Sequence, residues 1–225
     1  MSAWPLQEME RRIGEIQPPL PFGTSLGIGL ATLLVVNFPG TWTFIRYFTT
    51  MAHEGSHAAV YSLGGLKITG VWLKPNADGE TKAQGKGSNV PSLLIGYVGP
   101  SLFGLAAAKL ISIGHSVAVL WLTLALLVLL LANVRNVFGI LAIVVAGYVI
   151  FIFARYGTVR HETMAAYGIA WLLLLSGVRV VVNHWSDAKD AGDLRKLTDI
   201  MPVVFARIWL VGALFAVFFG ARLMM

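Results

Sequence analysis

The sequence contains no cysteine, which excludes a disulfide-stapled module and any thiolate metal site. Charge is scarce too. Asp, Glu, Lys and Arg make up 12% of the 225 residues, against about 25% in soluble domains, too few to coat a water-facing surface. A hydrophobic content of 56% excludes disorder. No internal repeat, low-complexity tract or second soluble domain interrupts the chain. The first 19 residues do not read as a signal peptide, because Glu8, Glu10, Arg11, Arg12 and Glu15 precede any apolar run. Leu6, Met9, Ile13 and Ile16 at helical spacing predict instead a short interfacial helix over 1–19, ending at Pro18-Pro19.

What is present is apolar length. Crossing the hydrocarbon takes about 20 mostly apolar residues, and such stretches fall at 20–38, 42–63, 90–111, 116–134, 137–154, 164–184 and 201–222. The fold class is therefore an all-α polytopic membrane protein with seven transmembrane helices, residues 20–225 forming one membrane-embedded domain. Pro39-Gly40 predicts a tight hairpin between the first two spans. With the N-terminus inside, ten basic residues (Arg11, Arg12, Lys67, Lys74, Lys82, Lys86, Arg135, Lys189, Arg195, Lys196) face the cytoplasm. Four (Lys109, Arg155, Arg160, Arg222) face away, which predicts N-in and C-out. The net charge of +6 is thus a matter of membrane topology and not of nucleic-acid binding. Arg46, Arg179 and Arg207 lie within spans but near their ends, where snorkelling accounts for them. Asn37 and Asn133 read as helix-end groups or interhelical glue, and the small residues of Gly96–Gly104 as close helix packing, with a kink that opens a path to a metal site as the alternative. The loop 64–89 differs in kind: Leu66–Leu73 is β-prone and Asn76-Ala77-Asp78-Gly79 signals a turn, predicting a cytoplasmic β-hairpin.

The second span carries His53-Glu54-Gly55-Ser56-His57. Side chains four apart share a helical face, so both imidazoles can reach one zinc ion. Glu54 is placed to take a proton from a zinc-bound water, whose pKa the metal lowers to about 7, and to hand it to a leaving amine. Histidines and a carboxylate inside a membrane helix are costly unless they serve a purpose. His161-Glu162-Thr163-Met164-Ala165 begins the same way but ends in alanine, and reads as a helix start in the headgroups. A catalytic zinc takes three protein ligands. The third must come from the polar cluster Asn183–Asp193, the only one that returns to the same side, and His184, Asp187, Asp190 and Asp193 are its candidates.

These features together resemble the site-2 protease family of intramembrane zinc metalloproteases, in particular its short branch without a PDZ domain. The residues that carry the likeness are His53-Glu54-Gly55-Ser56-His57, the helix exit Leu63-Gly64-Gly65, Gly96-Tyr97-Val98-Gly99-Pro100-Ser101, and Asp190-Ala191-Gly192 leading to Leu194 and Thr198. The resemblance implies His53, His57 and Asp190 as zinc ligands and Glu54 as the acid–base residue, with Gly192 letting the backbone turn the carboxylate toward the second span. It further implies a membrane-protein substrate, cut within or beside a transmembrane segment, and regulated proteolysis in a bacterial plasma membrane. A substrate strand could add to the hairpin at 66–83, or the hairpin could simply cap the cytoplasmic face. A multi-span zinc transporter or metal sensor, and an inactive protease-like scaffold, are the competing readings.

Overall fold

The computed structural model describes residues 6–85, 89–185 and 188–225, with the side chains of 6–8 undescribed. Helix dominates. In chain order the elements are α1 (Leu6–Gly14), α2 (Phe22–Asn37), α3 (Pro39–Leu63), β1 (Ile68–Leu73), β2 (Gly79–Ala83), α4 (Val90–Ser112), α5 (Ser116–Asn133), α6 (Val137–Tyr156), α7 (Val159–Asn183), α8 (Lys189–Thr198) and α9 (Pro202–Met224). Five of these, α4, α5, α6, α7 and α9, are each long and apolar enough to span a membrane. Their outward faces are apolar, with Leu129, Val145, Val211 and Phe215 all exposed, as lipid contact requires.

The expected seven spans are not reproduced. Residues 20–38 and 42–63 do form two helices, but α2 and α3 meet at Phe38 with a bend of 102°, so that together they count as at most one further span. The elbow has a physical lock. The Arg179 guanidinium of α7 donates to the Val36 carbonyl, one of the orphan acceptors at the end of α2. It also lies over the Trp42 ring of α3 at 4.3 Å. Arg179 therefore turns inward to hold the elbow instead of snorkelling, whereas Arg207 is exposed. Asn37 and Asn133 are helix-end groups, each bonding the carbonyl four residues back.

Helix α4 is the hub, packed against α7, α9 and α3. Small residues make this possible. A Cβ at Gly104 would stand 2.8 Å from the Leu174 backbone nitrogen and 3.1 Å from the Ala170 carbonyl, so α4 and α7 approach at backbone distance. On a different face of α4, Gly99 accommodates Ser56 of α3.

The N-terminal segment lies at the end of the bundle opposite the β-hairpin. The Gln17 backbone N–H donates to Gly114 O in the α4–α5 turn (2.8 Å), and its side-chain oxygen accepts from Val117 N (3.1 Å). Leu20 N donates to the Tyr167 hydroxyl near the start of α7 (3.3 Å). Arg12 pairs with Glu162 at 3.0 Å, and the Glu162 side chain is fully buried. Two expectations change as a result. Glu162 sits in the protein interior and not in headgroups, and Arg11 and Arg12 leave the hairpin's side, so the basic balance falls from ten against four to eight against six.

The Arg12–Glu162 pair generates a stability prediction. Arg12→Met strands a buried carboxylate, which should cost about 3–5 kcal/mol, whereas adding Glu162→Met should recover most of that loss. Thermal unfolding of the two variants in the same detergent measures the difference.

Candidate metal centre

Helix α3 supplies His53, Glu54 and His57 one turn from its middle, and the first turn of α8 supplies Asp190. The His53 and His57 Nε2 atoms are 3.1 Å apart. Asp190 Oδ2 is 3.3 Å from each of them. Asp190 is 8% exposed, and its Oδ2 has no hydrogen-bond partner although buried. Two nitrogens and an oxygen thus converge on a common point. A tetrahedral zinc with ligands at 2.0–2.1 Å holds them about 3.3 Å apart, so the three atoms have the spacing such an ion demands.

Space for an ion is built in by Gly96 of α4. A Cβ there would fall 2.6 Å from His57 Nε2, 2.7 Å from His53 Cε1 and 2.8 Å from Asp190 Oδ2. The glycine run thus serves two purposes: Gly99 and Gly104 allow close packing, while Gly96 leaves room at the ligand atoms. Pro100 contributes through what it lacks. Without an N–H it leaves the Gly96 carbonyl unpaired within α4, and the His53 ring bonds that carbonyl. A second-face bond of this kind fixes which imidazole nitrogen points at a metal. The Tyr97 ring meets His53 edge-on at 4.9 Å and stacks on Trp209 at 4.6 Å, so the imidazole is held from the side as well.

Burial raises the pKa of the Asp190 carboxyl, but the adjoining His53 and His57 outweigh it and hold the group below the ordinary carboxylate range. An ionised carboxylate is thereby kept ready for a cation. Its placement does not use Gly192 as a turn. That residue is inside α8, bonding the Ala188 carbonyl, and the carboxylate is aimed by the helix start, where a negative charge is favoured.

Of the other candidates, Asp193 turns to Lys196 at 2.6 Å, and His184 faces Tyr97 with ring centres 6.2 Å apart. Both border the cavity without joining the cluster. Asp187 lies outside the described residues. Among the described residues, His53, His57 and Asp190 form the one group of three able to hold a metal.

A cavity of about 660 Å³ opens onto this cluster, bordered by α3, the β-hairpin, Tyr97 and α8. The hairpin is fixed over it. Asn136 clasps Leu73 through both its amide groups (2.6 and 3.1 Å), and Val134 bridges Val71, so the α5–α6 connection occupies the outer edge of β1. Among the described residues, strand β2 pairs only with β1, and it runs along the cavity. Thr50 donates to Ala77 O at 2.7 Å, tying the hairpin turn to α3. Glu80 on β2 pairs with Lys189, next to Asp190, at 3.7 Å. Glu54 is 3% exposed and turns toward β2, where Gly79 leaves it room and Thr81 donates to it at 2.6 Å.

Sequence reasoning missed Gly79, Thr81 and the clearance at Gly96. Only Gly96 carried a signal, as part of a small-residue run whose faces a sequence cannot separate.

No curated protein and no solved structure matches the chain. Residues 26–220 match the Peptidase M50B-like family. That stretch holds α3, the hairpin, α4 and α8 and thus every residue of the cluster, and the chain belongs to the Peptidase M50B-like family, a site-2 protease family.

Proposed function

We propose that the protein is an intramembrane zinc endopeptidase that hydrolyses peptide bonds in or beside transmembrane segments. The observation that carries this reading is the spacing of His53 Nε2, His57 Nε2 and Asp190 Oδ2, 3.1–3.3 Å apart, with Glu54 lining the same cavity. His53, His57 and Asp190 would hold the zinc. When bound, that ion supplies Lewis acidity toward the peptide carbonyl and lowers the pKa of water to about 7.

Glu54 Oε1 is the proton carrier. Thr81 occupies Oε2, and Oε1 has no hydrogen-bond partner among the described residues, so it is the oxygen able to take a proton from the attacking water. It then delivers that proton to the departing amine. A substrate segment must present an extended backbone here, yet in a membrane its amides are bonded within a helix. The unshared edge of β2 offers replacement partners along the cavity, which supports strand addition over a hairpin that only caps. Cleavage of a single-span protein in a bacterial plasma membrane, hairpin side facing the cytoplasm, would release a regulator to that side. A transporter needs successive sites across the bilayer, and the described residues hold a single cluster.

Three measurements test the reading. Glu54→Gln should keep one zinc per chain and lower turnover of a single-span substrate by about 10²–10⁴, because an amide cannot accept the proton. His53→Ala, His57→Ala and Asp190→Ala should each leave zinc substoichiometric by elemental analysis, while Asp193→Ala retains it. Gly96→Ala should also lose zinc although every ligand remains, since its methyl enters the space at the ligand atoms; stoichiometric zinc in this variant would contradict the assigned position.

A further inference from the structure

We infer that Thr81 of the β-hairpin is a positioning residue for Glu54, so that the proton carrier on α3 is aimed by a strand outside the ligand helix. The inference rests on the reading of Glu54 as the acid–base group and adds the residue that orients it. Thr81 Oγ1 stands 2.6 Å from Glu54 Oε2 and 3.2 Å from the Glu54 carbonyl. Its single proton goes to the carboxylate, since 2.6 Å is the distance of a charge-assisted O–H···O⁻ bond. The register pairs Thr81 with Val71 and Gly79 with Leu73. Residues 79 and 81 therefore share the face of β2 that meets α3, while Glu80 and Lys82 point the other way.

Gly79 completes the seat. A Cβ on Gly79 would meet Glu54 Oε1 first, and then Cγ at 2.5 Å and Cδ at 2.6 Å, so the carboxylate, Oε1 foremost, lies in the space that a side chain there would fill. One strand position binds Oε2 and the other makes room for the head group. A glutamate has three side-chain torsions, and ordering it costs entropy. In water that freedom would spread the proton-accepting oxygen over several positions, whereas a near-attack geometry tolerates errors of only about 1 Å. The Thr81 bond fixes Oε2 and thereby leaves Oε1 as the working oxygen. Because β2 is also the strand whose edge is open to a substrate, seating a substrate and aiming the base depend on the same five residues.

The test uses the full chain loaded with zinc in detergent, with a dansylated peptide hydroxamate as probe. Hydroxamates chelate zinc and share a proton with the adjacent carboxylate, so their affinity reports the aim of Glu54 without turnover. Thr81→Val, nearly isosteric, should keep one zinc per chain and weaken hydroxamate binding about 10-fold; on a fluorogenic single-span peptide kcat should fall 10- to 100-fold with KM within about threefold. Thr81→Ser should restore both to within about threefold of wild type. Gly79→Ala should weaken the hydroxamate similarly, its methyl displacing the head group. In a Glu54→Gln background Thr81→Val should have no further effect on probe affinity, since the two residues act as one unit. The inference is overturned if Thr81→Val binds the probe as wild type does, if serine fails to rescue, or if the double variant shows additive losses. Wild-type affinity in Glu54→Gln would overturn the assignment of Glu54 itself, and is read separately from the Thr81 series.

Discussion

A polar side chain inside a membrane helix must find its partners within the protein, because lipid supplies none, and α3 carries three such side chains within five residues. Much of the architecture around that helix answers this demand. His53 is met by the Gly96 carbonyl that Pro100 releases, Glu54 by Thr81, and both imidazoles by Asp190. The partners come from α4, β2 and α8, three separate elements, the last far along the chain from the other two. Each of them reaches α3 only because small residues or turns let it: glycine on α4, glycine on β2, and the helix start of α8. The close packing of α4 on α7 through Gly104 and Leu174 then carries this arrangement into the rest of the bundle.

The hydrolysis proposed for this protein would also need water and an unfolded substrate. The features that would meet both requirements lie at one end of the molecule. The cavity over the cluster is bordered by Lys74, Asp78, Glu80, Lys189 and Asp193, a lining that favours water. The hairpin forming its wall is anchored on one side by Asn136 and on the other by Thr50, which leaves the β2 edge as its open side. The opposite end of the bundle is closed by the N-terminal segment, with Gln17 and Arg12 bonded into the helix connections there. One end thus carries the polar cavity, and the other is strapped by the described part of the N-terminal segment.

Much of this was legible in the sequence, and the unread parts share a cause. The apolar stretches and the turn at Asn76–Gly79 are local signals, and the hairpin and long helices stand close to where these signals put them. His53 and His57 are readable because a helix brings positions four apart together without help from elsewhere. Asp190 was within reach only through a family likeness, since nothing local says which acid of its loop turns inward. At Phe38, Pro39-Gly40 announces a break but not its angle, and the Arg179 contacts that hold the elbow come from another helix. Counting basic residues placed the N-terminus beside the hairpin; the count cannot register that Gln17 bonds Gly114. His161-Glu162 and His53-Glu54 are the same dipeptide, yet the first glutamate is a structural anchor for Arg12 and the second faces the cavity.

Gly96 has a bearing on how such chains are judged. Whether a protein of this kind is a working peptidase or an inert descendant is ordinarily decided by asking whether its ligands and its glutamate are intact. Here the clearance beside the three candidate ligands matters as much to the proposed centre as the ligands do, and it is provided by a residue with no functional group. A lineage could abandon catalysis by a single added methyl on α4 while preserving His53, Glu54, His57 and Asp190 unchanged. Decay of the enzyme would then be visible first in a packing position, and a motif of perfect appearance would outlive the chemistry it stands for.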